Sequence, residues 1–259
     1  MNRSYVVTGG GRGVGRAIVE RMLKDADDNR VVVIEFDAAE LAWVDDHPAH
    51  SRLIPVVGDA GEQTVASRAA DRAAEMGPLA GWVNNAAVFR DAWIHLAPVQ
   101  DVLDAIVLNL NLAVVGSGIA VRHFLAEGTG GAIVNVSSHQ AQRSVRGAMP
   151  YATAKAAIKG LTRALAVDYG PLGIRVNAVA LGSIVTERSQ IYLAGQEPEA
   201  VKRFEEEMRL LHPIGRMGHT HEVAAAVSFL LSDEASFISG AVVPVDGGRA
   251  AQGRDPEES

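Results

Sequence analysis

The sequence predicts an α/β fold: one doubly wound domain over residues 1–248, with a seven-stranded parallel sheet flanked by helices on both faces. Three observations predict it. Short runs rich in Val and Ile alternate with longer segments of helical period, the pattern of strands buried on both faces and covered by helices. No Pro-, Gly- or Ser-rich linker divides the chain and no internal repeat stands out. Finally, 259 residues that are 48% apolar and 21% charged are enough to close one large core.

The strands are expected at 4–8, 30–35, 52–57, 81–84, 132–137, 175–180 and 241–245, and the helices at 13–24, 38–45, 62–75, 99–126, 150–169 and 221–231. Thr220 is placed to cap the last helix, and Gly170-Pro171 to stop the one before it. Residues 184–218 break the βα rhythm with a long charged segment, helical at 198–211, that reads as a substrate lid. The polar tail at 249–259 is expected to be disordered. No targeting segment is expected before the first strand. The apolar stretch near 105–121 is interrupted by Asn109, Asn111 and Ser117, so it falls short of the roughly 20 apolar residues of a membrane span. A cytoplasmic protein without a membrane partner is the expectation.

With no cysteine, disulfides, thiolate metal sites, iron–sulfur clusters and cysteine nucleophiles are excluded together. A net charge of −7 argues against nucleic acid, whose phosphates call for a basic face. No metal site is expected. Glycine, at 26 residues, is abundant beside 5% aromatics, which suits a backbone that approaches a ligand closely.

The first strand runs into Thr8-Gly9-Gly10-Gly11-Arg12-Gly13-Val14-Gly15 and then a helix. There Gly9, Gly13 and Gly15 let the chain pass close to a pyrophosphate, while the helix N-terminus offers free N–H groups. About 20 residues on, the second strand ends in Glu35-Phe36-Asp37, where a carboxylate would accept hydrogen bonds from an adenosine ribose and repel a 2′-phosphate. Glu35 is the first choice and Asp37 the second; Arg12 pulls the other way, because it could pair with that phosphate.

Tyr151-Ala152-Thr153-Ala154-Lys155 sets a phenol and an ammonium four residues apart on one helix face. The cation is expected to lower the phenol's pKa, so that Tyr151 can exchange a proton with a hydroxyl or carbonyl near neutral pH. Ser138, at a strand end thirteen residues earlier, could orient the same oxygen, or cap a turn. Asn111, in an apolar helix, reads as a buried amide that needs partners.

Taken in order, Thr8-Gly9-x-x-x-Gly13-x-Gly15, Asp59, Asn84-Asn85-Ala86, Asn111, Ser138, Tyr151-x-x-x-Lys155, Arg175-Val176-Asn177 and Val245-Asp246-Gly247-Gly248 resemble the short-chain dehydrogenase/reductase family over nearly the whole chain. The resemblance implies a Rossmann-type fold, Tyr151 as catalytic acid/base, Lys155 on the nicotinamide ribose, Ser138 positioning the reacting oxygen, and Asn111 supporting a proton relay. It also implies that Asp59 and Ala60 contact adenine, that Asn85 and Ala86 line the cofactor, and that Gly182, Ile184 and Thr186 lie near the nicotinamide. Val14, Phe36 and Ala87 are counted with these cofactor residues. Ala87 departs from the family's glycine and needs a negative φ, Leu181-Gly182 replaces Pro-Gly, and two extra residues before the second strand could shift Glu35. The function implied is an NAD-dependent oxidoreductase acting on a small secondary alcohol or ketone, as a homotetramer. The alternatives are an NADPH-dependent carbonyl or 3-oxoacyl thioester reductase and a cofactor-sensing protein without catalysis. His139, Gln140, Met149, Tyr192 and Met208 are the candidate substrate residues.

Overall fold

The computed structural model describes residues 3–253. In chain order its elements are β1 (Arg3–Thr8), α1 (Gly13–Asp25), β2 (Asn29–Glu35), α2 (Trp43–Asp46), β3 (Leu53–Val57), α3 (Gln63–Met76), β4 (Leu79–Asn84), α4 (Val99–Glu127), β5 (Gly131–Ser138), α5 (Met149–Tyr169), β6 (Ile174–Leu181), β7 (Ile184–Val185), α6 (Glu187–Ala194), α7 (Pro198–Leu211), β8 (Gly218–His219), α8 (Thr220–Leu231) and β9 (Val242–Val245). All seven expected strands join one parallel sheet in the order β3-β2-β1-β4-β5-β6-β9. The order reverses between β1 and β4, and at such a switch point the strand ends open into a ligand crevice.

The sheet is buried on both faces because its strands are apolar on both. Alternate residues of β2 split between two cores. Val31 and Val33 pack with Ile18, Val19 and Met22 of α1 and Val223, Val227 and Leu230 of α8, while Val32 and Ile34 pack with α3 and α4. The α3 face is Ala66, Ala69, Ala70 and Ala73, small enough for that helix to lie close to the strands.

Four local expectations are corrected. The helix expected at 38–45 splits into a 3₁₀ turn, Ala38–Leu41, and the single turn of α2, because the Asp37 side chain accepts from the Ala39 N–H and caps a short helix there. The cap of α8 is His219, not Thr220, and the Glu222 carboxylate accepts from the His219 N–H at 2.7 Å. Within residues 184–218, α7 spans the residues expected, and α6 is an additional helix; its signal is a capping box in which Thr186 and Ser189 bond each other's backbone. Lastly, α4 is long and apolar enough to cross a membrane by length and composition, and it packs against β4, α3 and α5.

The tail expected from residue 249 begins inside folded structure. The Ala250 N–H donates to Asp246 Oδ2 at 2.8 Å, and the Ala250 carbonyl accepts from Arg143 Nε at 2.9 Å. Residues 254–259 of that tail lie outside the described residues.

Candidate active site

The phosphate loop is built by close approach of backbone to backbone. A Cβ on Gly15 would stand 2.0 Å from the Gly9 carbonyl oxygen, and Gly9 and Gly13 hold positive φ of 64° and 55°. Arg12, at the N-cap of α1, offers its helix no side-chain acceptor, and the first turn holds no acid. The N–H groups and partial positive charge of the α1 N-terminus therefore have no acceptor from their own helix, and the nearest acid is Glu187, whose Oε2 lies 3.6 Å from where a Gly13 Cβ would stand. Val14 packs against the core, fixing the helix start behind that site.

Glu35 keeps its place despite the two extra residues. Its Oε2 accepts from the Gly11 N–H at 3.0 Å and its Oε1 from the Phe36 N–H at 2.9 Å, so the carboxylate lies against the loop. The Asp37 carboxylate is taken up by its cap, and the Phe36 side chain is 75% exposed beside it. Arg12 is ion-paired to Glu40 at 2.9 Å. At the next strand end, Asp59 accepts from the Gly61 N–H at 2.8 Å and Ala60 is buried.

Thr8 pins β4 to β1. Its hydroxyl accepts from the N–H groups of Asn85 and Ala86, both at 3.0 Å, while Asn85 Nδ2 donates to the carbonyls of Thr8 and Gly9. No described residue other than glycine has a positive φ, so Ala87 meets the condition set by its departure from the family pattern. Gly182 is tied by its N–H to the Val245 carbonyl at 3.0 Å, and a Cβ there would meet Asp246 Cα at 2.8 Å. The loop after β6 is thus held without a proline.

Tyr151, Lys155 and Ser138 come together at the end of β5. Lys155 is 2% exposed and its Nζ donates to the Val136 carbonyl at 2.8 Å, lying 5.5 Å from the Tyr151 ring centre. The expected lowering of the phenol's pKa is corrected: burial pushes Tyr151 up to about 12, with the Ser138 hydroxyl pulling it partly back, and burial pushes Lys155 down to about 8. Desolvation of the phenol is the larger effect. The Ser138 hydroxyl also accepts from the Gln140 N–H, so its cap and its contact with Tyr151 coexist.

Asn111 is the second correction. It is exposed, and its Nδ2 donates to the Gly61 carbonyl at 2.9 Å. Two residues on a helix are about 200° apart, so Asn109 faces inward where Asn111 faces out. Asn109 is 4% exposed and clamps Val88 from both sides, accepting from its N–H at 2.9 Å and donating to its carbonyl at 2.8 Å. The next residue, Phe89, stacks on Tyr151 with ring centres 4.7 Å apart.

The segment after β6 starts over the phosphate loop: a Cβ on Gly13 would lie 3.6 Å from both Thr186 and Glu187. Ile184 pairs with Gly218 in the small sheet of β7 and β8. Tyr192 of α6 packs against α7, its ring 6.3 Å from that of Phe204. Met208 gives its carbonyl to the buried His212, and Met149 begins α5, two residues before Tyr151.

The sequence model described as enoyl-(acyl carrier protein) reductase matches residues 9–250. The chain belongs to the short-chain dehydrogenase/reductase family. It is 32% identical to levodione reductase of Leifsonia aquatica over 96% of this chain and 95% of that one, and 34% identical to L-xylulose reductase of Bos taurus over 95% and 96%. A gluconate 5-dehydrogenase candidate from Beutenbergia cavernae, solved with NADP at low occupancy, superposes with a TM-score of 0.83 at 29% identity over 96% of this chain and 97% of that one. Members of this family bind NAD(P), and this short-chain dehydrogenase/reductase is an oxidoreductase acting on CH–OH groups.

Within this short-chain dehydrogenase/reductase, reading the sequence missed Asn109, Thr8 as a hydrogen-bonding hub, and Phe89. Asn109 carried the same signal as Asn111, an amide in an apolar helix, and only the helical phase separates them. Nothing in the sequence marked Phe89, because its stacking on Tyr151 joins residues far apart in the chain.

Proposed function

We propose that this short-chain dehydrogenase/reductase moves hydride between NAD(H) and a small secondary alcohol or ketone, with Tyr151 carrying the proton. The observation that carries this reading is the buried group of Tyr151, Ser138 and Lys155 at a strand end beside a glycine cradle that a single Cβ would fill. The cradle, the uncapped N–H groups of α1 and Glu35 fit a dinucleotide, which Gly9, Gly13, Gly15, Asp59, Ala60, Asn85, Ala86, Gly182, Ile184 and Thr186 would hold with Glu35. Bound there, NAD(H) would supply the hydride transfer. Preference for NAD over NADP is supported by Glu35 against the loop and by Glu40, which already engages Arg12.

Tyr151 and Ser138 hold the substrate oxygen between two hydroxyls. With its pKa near 12, Tyr151 is a neutral phenol at pH 7 and donates its proton to an oxygen that gains charge as a carbonyl is reduced. In oxidation the substrate hydroxyl passes its proton to the phenolate form of Tyr151, whose own proton has first left to solvent, and the Lys155 ammonium stabilises that phenolate. Asn109 takes the place expected of Asn111, holding Val88 so that Phe89 rests on the Tyr151 ring. Residues 184–218 serve as the lid. A cytoplasmic homotetramer completes the reading, supported by exposed Val99, Leu103, Val107 and Val114 on α4 and Val167 on α5.

The test is NADH production from a panel of secondary alcohols. Tyr151→Phe should lower turnover by about 10²–10⁴-fold and keep the thermal shift given by NADH. A variant with substantial activity would remove Tyr151 from its role, and a larger shift with NADPH than with NADH would reverse the cofactor assignment.

A further inference from the structure

Among the described residues, four buried side-chain polar atoms lack a hydrogen-bond partner: Trp43 Nε1, His123 Nδ1, His139 Nε2 and Gln140 Oε1. Two of the four belong to the residues directly after Ser138. Buried polar groups are normally paired, so such a concentration beside a reacting serine marks hydrogen-bonding capacity kept for something that arrives.

The geometry also says what kind of group would arrive. His139 is 5% exposed, and its Nδ1 lies 3.1 Å from the Leu181 carbonyl, which can only accept. Nδ1 therefore carries the proton, and Nε2 presents a lone pair that calls for a donor. The amide of Gln140, whichever way round it sits, leaves its buried end free to donate or accept. Burial first and the charge of half-buried Arg249 second lower the pKa of His139, and among the described residues the Arg249 guanidinium makes one hydrogen bond, from Nη1 to Ser183 Oγ at 2.8 Å. A carboxylate would meet the lone pair of His139 head-on, and an alkyl group would leave it unpaired. A hydroxyl donates to His139 and still accepts from a neighbour such as Arg249.

We propose that His139, with Gln140 and Arg249 around it, forms a subsite for a second hydroxyl of the substrate, so that the protein acts on diols and the matching hydroxyketones in preference to simple alcohols. The subsite rests on the function proposed above, since it is the place of Ser138 and Tyr151 that makes it part of a substrate site. His212 is not a member: its Nδ1 donates to the Met208 carbonyl and its Nε2 accepts from the Ser183 N–H, which uses both nitrogens.

The experiment compares kcat/KM for 2,3-butanediol, 1,3-butanediol and 2-butanol in the wild type, His139→Leu, His139→Gln and Arg249→Met, each checked for folding by its melting temperature. At least one diol should exceed 2-butanol by about tenfold or more in the wild type, because an unmet buried acceptor penalises the substrate that cannot donate. His139→Leu should collapse that ratio, and His139→Gln, which still offers an acceptor, should recover part of it. Arg249→Met should lower the ratio less. Should His139→Leu fail to fold, a lower ratio in His139→Gln and Arg249→Met supports the subsite, and the wild-type ratio in both overturns it. Equal use of diols and 2-butanol by an active, Tyr151-dependent wild type would mean that water alone satisfies His139, and overturns the subsite while leaving the parent function standing. No Tyr151-dependent turnover of any alcohol overturns both.

Discussion

The cofactor side and the substrate side of this crevice are built on opposite plans. On the cofactor side, β1, β4 and the glycine loop are locked by backbone: Thr8, Asn85 and Gly9 exchange hydrogen bonds, and Gly15 leaves no room for a methyl group. On the substrate side, neither α6 nor α7 has a buried residue, and the residues after Ser138 keep unpaired atoms. The first plan suits a ligand of one fixed chemical structure, and the second leaves side chains free to adjust to the substrate. The lesson is that precision here comes from main-chain contact and selectivity from side chains left unsatisfied.

The strongest way to break this contrast is Gly15→Ala. A Cβ there would overlap the Gly9 carbonyl and lie 2.6 Å from Asn85 Nδ2, so the strand–loop–helix junction must open. The expected loss is about 3 kcal/mol or more by denaturant melt, together with the thermal shift from NADH. Near-wild-type stability would mean that the loop is as pliable as the lid.

Next in size is a pH effect at the seam between the two sides. Lys155 has a pKa near 8 in the folded chain against 10.5 as its ordinary value, so from about pH 8 to 10.5 the unfolded chain binds more protons. Stability should therefore rise with pH across that window, by about 3 kcal/mol in total, and below pH 8 the buried charge is carried at full cost. Tyr151, raised from 10 to about 12, acts in the opposite sense only above pH 10. The difference between wild type and Lys155→Met in unfolding free energy at pH 7 and pH 10 isolates the effect. An unchanged difference would show that the ammonium is well solvated.

How much of this was legible in the sequence follows the same division. The close-packed turn of Gly9, Gly13 and Gly15 could be read because such an approach needs glycine at a particular spacing, and all seven strands could be read from apolar runs buried on both faces. Asn109 against Asn111 could not be decided, because composition does not reveal the phase of a helix apolar on most sides. The pKa of Tyr151 was misjudged because spacing shows the cation and hides the burial. Helix α6 was passed over because its eight residues are stabilised by a cap and not by a buried face.

A third, smaller effect separates those two amides. Asn109→Ala removes both bonds to Val88 and leaves that peptide group short of partners, an expected loss of about 1–3 kcal/mol with a further fall in kcat as Phe89 loosens over Tyr151. Asn111→Ala removes one exposed bond and should cost under about 1 kcal/mol. Equal losses, or the larger at Asn111, would return the structural role to the residue that the family pattern first suggested.

The smallest effect on stability belongs to the lid and tests the contrast from its other end. Tyr192 is exposed and meets Phe204 only within the lid, so Tyr192→Ala should change unfolding free energy by no more than about 0.5 kcal/mol. Its KM should rise all the same, because a lid held by few contacts closes through whatever its side chains find on the substrate. A melt shifted by as much as that of Gly15→Ala would make α6 and α7 part of the cooperative core. The two sides of the crevice would then differ in sequence pattern but not in the physics that holds them.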